Sequence, residues 1–497
     1  MAKCLYLTTT LPYVNADPHI GFALEIVQAD IIARYRKLIG DEVFFSTGTD
    51  EHGLKIFQKA KEAGKDTQDY VDEYAEKFRS LKGSLGLSDD LHFIRTTDAH
   101  HKAAAAEIWK RCLAKGDIEK RKYKGLYCIG DEMFLKEGDL VDGKCPNHPT
   151  MTPVEIEEEN YFFKLSAYSD RLKKYLSREG VILPEWRRLE ALTFVEGGLE
   201  DFSISRVKEK MPWGVPVPGD EGQVMYVWFD ALTNYISTLG WPEDSEGNFK
   251  RYWEEGETVQ MAGKDQIRFQ SIMWQAMLMS AGIKNTDRVV YHGFINSGGQ
   301  KMSKSLGNVI KPTTIIEVFN EAGANGTEVL RYFLARHCSP FDDSDVTIDR
   351  IKEAYNADLT NGLGNLTSRI MQLAQTYLPV DRPERTKPAY PIEFHQALIE
   401  FDYAKALQYV FGQIAALDSK ISATEPFKLI KTNPAEGTEL MLDLILDLYV
   451  IGHMLDPFMP ETSKRIKTAV ETHQKPENLF PRVSEVDISQ WYEKYSK

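Results

Sequence analysis

The sequence predicts an α/β protein: a parallel-sheet domain, interrupted by a stretch of different patterning and followed by an all-α helical bundle. Three observations carry this. Residues 1–116 read strand, helix, strand, helix, which indicates a parallel sheet covered by helices, with ligands at the carboxyl ends of its strands. Over 117–222 the alternation gives way to short runs between basic Lys120-Arg121-Lys122 and acidic Glu155-Ile156-Glu157-Glu158-Glu159, and the sheet pattern resumes over 223–324. Beyond about 325 the strands stop.

The first strand is the apolar run Cys4-Leu5-Tyr6-Leu7, and Ile20, Leu24, Val27, Ile31, Tyr35 and Leu38 keep helical spacing after it. A strand that enters a helix N-terminus through a proline-punctuated turn suits an anion, because free backbone N–H groups and the helix dipole both favour one. His19 can donate to a phosphate oxygen there, and Gly21, lacking a Cβ, lets a nucleotide lie against the backbone. The second strand, Glu42 to Thr47, precedes Gly48-Thr49-Asp50-Glu51-His52-Gly53, with helices beginning near Leu54 and Thr67. Asp50 has two readings: it holds an ammonium group in the crevice, or it caps the next helix.

Three further strands complete the sheet. Val224 to Asp230 leads into Ala231-Leu232-Thr233-Asn234-Tyr235, and Thr258 to Ala262 ends in Gly263-Lys264-Asp265 before a helix from Ile267 to Trp274. The last, Arg288 to Ile295, feeds the loop from Asn296 to Asn308, whose glycines allow it to close over a ligand and reopen. A short helical connector begins at Val329-Leu330-Arg331-Tyr332-Phe333-Leu334. Past it, Phe394, Leu398, Phe401, Ala404 and Leu407, and then Leu440, Leu444 and Leu448, recur at three- and four-residue steps, the mark of a bundle. Residues 379–391 form a polar, proline-rich connection between helices.

Bulk properties narrow the class. A chain of 497 residues holds two to four folding units, and 42% hydrophobic with 27% charged residues is ordinary for a soluble protein. No apolar run has the length of a membrane span and no leader pattern opens the chain, so a cytoplasmic protein without membrane attachment is expected. Five cysteines make no disulfide framework at this length, which fits a reducing compartment. A net charge of −14 argues against indiscriminate nucleic-acid binding but leaves room for local basic patches.

Pro18-His19-Ile20-Gly21 together with Lys301-Met302-Ser303-Lys304-Ser305 resembles the two signature sequences of the class I aminoacyl-tRNA synthetases. The flanking Leu11-Pro12-Tyr13-Val14-Asn15 is similar to the methionyl-tRNA synthetase family in particular. The resemblance implies a split Rossmann-like catalytic domain (1–116 and 223–324), a connective insertion (117–222) with a knuckle-like segment, a stem-contact connector (325–356) and a helical anticodon-binding domain (357–497). It implies ligation of L-methionine to tRNA(Met) through a methionyl-adenylate, with ATP and Mg2+. His19, Gly21, Lys301 and Lys304 would be catalytic, the lysines stabilising charge that builds on the departing pyrophosphate. Pro18 and Ser303 would join them around ATP, with Gly263 and Asp265 near the ribose.

The resemblance further implies a methionine site of Thr10, Leu11, Tyr13, Asp50, Trp228, Ala231, Tyr235, Gln266 and Gln270, with Asp50 on the amino group. A thioether offers no strong hydrogen-bonding handle, so aromatic contacts worth roughly 0.3–1.5 kcal/mol each would recognise it; ordinary core packing is the other reading of Trp228. Gln266 and Gln270 depart from the family, whose members usually carry Ile and His at these places. Asn365 and Arg369 would meet anticodon bases, and Phe427 stands where relatives often have Trp as a stacking platform. The alternatives for those three are a capping Asn, a surface Arg and a core Phe. In the insertion, Cys128, Asp131, Cys145 and His148 sit at knuckle-like spacing, with Asp131 at a place commonly Cys; a structural Zn2+ site and a metal-free hairpin are both open. With no appended β-barrel after Trp491, a monomer is expected. Two rivals remain: a synthetase for another apolar amino acid, for whose usual editing domain 117–222 is too short, and an inactive RNA-binding relative.

Overall fold

The computed structural model describes residues 3–128, 133–135, 137–146, 152–244, 246–302, 308–379 and 388–496. They divide into two compact units. The first comprises Met1–Asp17, Gly40–Ser80 and Asp89–Tyr291; the second comprises Pro18–Ile39, Leu81–Ser88 and His292–Lys497.

In the first unit a six-stranded sheet runs in the order His92–Arg95, Glu42–Thr49, Cys4–Thr8, Glu257–Gly263, Arg288–His292, Ile182–Leu183. Cys4–Thr8 pairs in parallel with both neighbours, Leu7 standing opposite Phe45 on one side and Val259 on the other. Leu5, Tyr6 and Leu7 are fully buried, as a central parallel strand covered on both faces requires. The strand order reverses direction between Cys4–Thr8 and Glu257–Gly263. In sheets wound this way a ligand sits outside the carboxyl ends of the strands at the reversal, where Thr9 to Tyr13 and Gly263 to Asp265 lie. Trp109, Trp253, Trp274 and Tyr291 are fully buried in the core behind it.

The insertion folds as an antiparallel sheet of Met133–Leu135, Ile118–Cys128, Val154–Phe163 and Phe202–Ser203. Its basic and acidic runs lie opposite each other, Lys122 across from Glu159 and Lys124 across from Glu157, so opposite charges form cross-strand pairs.

Two expected strands are corrected. The strand predicted over Val224 to Asp230 stops at Met225, and Val227–Ala231 is a short helix. Its aromatic and β-branched residues favour a strand locally, but tertiary ties on Asp230, described below, decide otherwise. The strand predicted to run from Arg288 to Ile295 breaks after His292 and restarts as Ile295–Ser297. At the break the backbone of Asp342 passes so close to Gly293 that a Cβ there would stand 2.1 Å from its carbonyl carbon, and Phe294 N–H donates to Asp343 Oδ1 at 2.9 Å.

The second unit holds the helix Ile20–Leu38 and the helices of the C-terminal part, among them Gly326–Arg336, Asn365–Tyr377, Tyr403–Thr424, Pro434–Leu455 and Pro460–Thr472. A buried ion pair fastens the first of these: Arg331 Nη2 lies 2.7 Å from Asp30 Oδ2, both side chains fully buried. Burial alone would raise the Asp30 carboxyl, but Arg331 and Arg34 outweigh it and hold it below the usual carboxylate range. Arg331 also donates to the carbonyls of Phe458 (2.9 Å), Pro457 (3.0 Å) and Leu85 (3.2 Å). Ile295–Ser297 and Gln300–Lys301 form a hairpin whose two turn residues, Gly298 and Gly299, have φ of +61° and +75°, a turn that only glycine and a few polar residues adopt readily.

Candidate active site

In the first unit, the segment after the first strand continues to pair with the end of the second: Asp50 N–H donates to Pro12 C=O at 3.0 Å and Val14 N–H to Asp50 C=O at 3.2 Å. This sets Leu11 and Tyr13 beside Asp50, whose side chain is buried. Asp50 does not cap the following helix. That helix, Leu54–Glu62, starts from Gly53 at φ +113° without a side-chain cap. The adjacent Glu51 is consumed structurally, accepting from Arg95 Nε (2.7 Å) and Nη2 (2.8 Å) and from Thr49 Oγ1 (2.6 Å).

The helix Val227–Ala231 and the turn after it carry Trp228, Ala231 and Tyr235. Trp228 is half-buried and stacks face to face on Phe269, ring centroids 3.7 Å apart, so it is neither free nor part of the deep core. Tyr235 Oη donates to Gln270 Oε1 at 3.0 Å, and both residues are buried. Gln266 Nε2 donates to Asp265 Oδ2 at 3.0 Å, within the short helical turn Lys264–Gln266 that follows the strand-end Gly263. The two glutamines that depart from the family pattern therefore serve different neighbourhoods, Gln270 with Tyr235 and Gln266 with Asp265. Thr10 lies half-buried between the first strand and Leu11.

Sequence reasoning passed over a buried cluster next to these residues. Asp230 accepts from or pairs with two imidazoles, His52 Nδ1 at 2.6 Å and His101 Nε2 at 2.8 Å, while His101 Nδ1 meets Ser237 Oγ at 2.9 Å. Burial would push the Asp230 carboxyl up, but His52 and His101 together hold it down at about 2. The cluster joins the loop carrying Asp50 to the helix carrying Trp228. His52 lies in a motif the sequence displays, but nothing in the sequence pairs it with a residue 178 positions away.

In the second unit His19 is the N-cap of the helix Ile20–Leu38, with extended backbone (φ −119°, ψ 170°), and its Nδ1 accepts from Gly21 N–H at 3.1 Å. An imidazole whose Nδ1 accepts carries its proton on Nε2, which makes Nε2–H a donor for a phosphate oxygen. A Cβ on Gly21 would lie 2.9 Å from Cε1 of the His19 ring. The expected free backbone donors are also corrected. Ile20 N–H donates to Ile310 C=O (2.9 Å), Gly21 N–H to His19 Nδ1, and Phe22 and Ala23 N–H to His19 C=O (3.1 and 3.3 Å). With its first donors occupied, the helix start offers an anion the His19 side chain and the dipole, not a ring of bare amides.

The bond from Ile20 to Ile310 ties the Pro18–Gly21 segment to the chain just past the lysine-rich signature. Lys301 ends the glycine hairpin, exposed, its Nζ 5.5 Å from the Phe294 ring centroid and its C=O accepting from Asn308 Nδ2 at 3.3 Å. Ser303 and Lys304 lie outside the described residues.

The model of the family described as tRNA synthetases class I (M) matches residues 5–153 and 148–371. The chain belongs to the methionyl class I tRNA synthetases. Similar relatives include the methionine--tRNA ligase of Thermotoga maritima, 38% identical over 95% of this chain and 76% of the relative, and that of Brucella suis, 39% identical over 93% and 90%. The Mycobacterium tuberculosis methionyl-tRNA synthetase in complex with methionyl-adenylate superposes with a TM-score of 0.85 at 36% identity, covering 97% of this chain and 99% of that one. The apo form of the same protein gives 0.80 at 31% identity over the same shares.

The candidate RNA-reading residues of this family member are all described. Asn365 is exposed and caps nothing, because the helical backbone runs unbroken from Ile348 through Tyr377. Arg369, one turn on, pairs with Asp418. Phe427 is 44% exposed on the helix Pro426–Thr432, which removes the core reading. A cleft of about 440 Å³ beside Asn365 is lined also by Thr367, Lys475 and Arg482. In the insertion, Cys128 and Cys145 share a small buried cluster with Leu135. Asp131 and His148 lie outside the described residues, and among the described residues no group of three or more potential ligands is arranged to hold a metal.

Proposed function

We infer that the chain ligates L-methionine to tRNA(Met), forming methionyl-adenylate and pyrophosphate from methionine and ATP and then passing the methionyl group to the terminal ribose of the tRNA. The observation that supports this reading is the Ile20–Ile310 hydrogen bond, which ties the Pro18–Gly21 signature to a residue that follows the Lys301–Ser305 signature closely in the chain. In the first step a methionine carboxylate oxygen bonds to the α-phosphorus while the bond to pyrophosphate breaks. No side chain acts as nucleophile; the site positions the reactants and stabilises charge. His19 Nε2–H and the ammonium groups of Lys301 and Lys304 meet the phosphate charge, with Pro18, Gly21 and Ser303 shaping the same surface. Asp50 holds the methionine ammonium. Trp228, Ala231, Tyr235 and Gln270, with Thr10, Leu11 and Tyr13, bound its side chain. Gly263 and Asp265, oriented by Gln266, take the ribose.

ATP enters as its Mg2+ complex. The protein acts as a cytoplasmic monomer, and no described helix is long and apolar enough to cross a membrane. Residues 1–116 and 223–324 form the catalytic domain, 117–222 the insertion, 325–356 the stem contact and 357–497 the anticodon domain, where Asn365, Arg369 and Phe427 meet the bases. The paired burial of Cys128 and Cys145 fits half of a zinc site, to which Asp131 and His148 would add two ligands. Zinc there would crosslink a hairpin and take no part in the reaction.

The test is exchange of labelled pyrophosphate into ATP with each amino acid in turn. Methionine-dependent exchange is expected. Exchange with leucine, isoleucine or valine in its place, or with none, overturns the assignment.

A further inference from the structure

His292, the last residue of its strand, is buried with both ring nitrogens engaged. Nδ1 lies 2.7 Å from the carbonyl oxygen of Gly293, and Nε2 lies 2.8 Å from Oε2 of Glu25, which is also buried. A carbonyl only accepts, so Nδ1 carries a proton and donates it. A neutral imidazole then has a bare lone pair on Nε2, and an ionised carboxylate has nothing to offer it. The contact to Glu25 is therefore a hydrogen bond only when one further proton lies between the two groups. Imidazole is ordinarily the stronger base by about two pKa units, which puts that proton on Nε2 and makes His292 an imidazolium.

This pair stands between the two signatures, inside the second unit. Glu25 is in the second turn of the helix that His19 caps. His292 is three residues from the hairpin strand Ile295–Ser297, which returns through Gly298 and Gly299 to Lys301. Between them Phe294 N–H is tied to Asp343 Oδ1, and the hairpin strand pairs with Ser344–Asp345, so there is little slack from His292 to Lys301. The charges on these elements differ in sign. Asp343 and Asp345, on the segment that crosses the break at Gly293, favour a cation at His292, and Lys301 opposes it. On the helix, beyond His19, Asp30 is matched by Arg34 and by Arg331 of the helix Gly326–Arg336.

We propose that Glu25 and His292 form a protonated clasp, imidazolium on carboxylate, that positions the hairpin bearing Lys301 for adenylate formation beside the helix bearing His19. Both are positioning residues, acting through those two side chains, and the inference rests on the catalytic reading above. It makes a sharp distinction at residue 25. Glutamine there can donate an N–H to a neutral Nε2 and keep the clasp without the extra proton, whereas leucine breaks it.

Nitrogen-15 spectra of histidine-labelled protein, with His292 assigned by its disappearance in His292→Asn, read the ring directly. At a pH well above the ordinary imidazole value of about 6.5, the parent is expected to show both His292 nitrogens protonated, and Glu25→Gln only Nδ1. In pyrophosphate exchange Glu25→Leu should lose roughly ten- to a hundredfold in kcat, the usual consequence of a small misplacement of catalytic groups, with little change in the KM for methionine. Glu25→Gln should stay close to the parent in both. A singly protonated His292 ring in the parent overturns the inference, and so does a Glu25→Gln protein as slow as Glu25→Leu or, should the leucine variant not fold, one that loses tenfold on its own. Absence of methionine-dependent exchange in the parent would overturn the catalytic reading and the positioning role with it, even with both ring nitrogens protonated.

Discussion

The backbone N–H of Ile20 donates to the carbonyl of Ile310 at 2.9 Å. This single bond joins positions 290 residues apart and brings the helix that starts at His19 next to the chain leaving the Lys301–Ser305 signature. It also occupies the first amide of that helix.

His19→Ala removes two things at once, the acceptor for Gly21 N–H and the Nε2 donor. Loss of a cap costs about 1 kcal/mol of stability, whereas loss of a donor used in the transition state lowers turnover by roughly 10²–10³. The variant should therefore keep a Tm within a few degrees of the parent and lose about two orders of magnitude in exchange kcat. A variant with parental kcat would show that His19 is only a cap.

Lys304→Ala is expected to slow adenylate formation by about a hundredfold while leaving methionine affinity almost unchanged, because its charge partner grows only as pyrophosphate departs. Pyrophosphate exchange gives the rate and equilibrium dialysis with methionine gives the affinity. An unchanged exchange rate refutes the role.

Asp230 supplies a pH-dependent prediction. Its folded pKa of about 2 lies below the unfolded value of roughly 3.9, so its ionised form stabilises the fold above about pH 4, and that contribution, on the order of 2 kcal/mol, disappears as pH falls towards 2. Asp230→Asn should be less stable than the parent at neutral pH, with the difference narrowing on acidification. Urea midpoints measured from pH 7 to pH 2.5 test this; a difference independent of pH would mean the carboxylate charge is not what His52 and His101 need.

Phe427→Ala should leave pyrophosphate exchange untouched and raise the KM for tRNA(Met) in aminoacylation by between about fivefold and a hundredfold, the loss of one base–aromatic stack. The ring is exposed, so its removal does not empty the core. An unchanged KM would place the bases elsewhere on the helical unit.

The parts of this molecule legible in its sequence are those that repeat locally. Leu5 and Leu7 on a strand, or Leu24, Val27 and Ile31 on a helix, declare themselves by spacing, and the His19 and Lys301 signatures are visible as motifs. What stayed hidden depends on partners far along the chain. Val227–Ala231 has the composition of a strand, and only the two imidazoles that reach Asp230 from residues 52 and 101 explain its helical turn. Gly21 is visible as a glycine, but that the His19 ring occupies the space beside it follows only from the cap geometry. Gln266 and Gln270 look alike in sequence, and only the fold shows the first bonded to Asp265 and the second to Tyr235.

The fully buried Asp30 carboxylate has a bearing on how the protein can be dissected. One of its two guanidinium partners, Arg331, belongs to the stretch after residue 324, so a fragment ending there would leave Asp30, on the helix that starts at His19, with Arg34 and Ser88 but without Arg331. The helix that starts at His19 thus draws part of its electrostatic support from a residue more than 290 positions further along the chain.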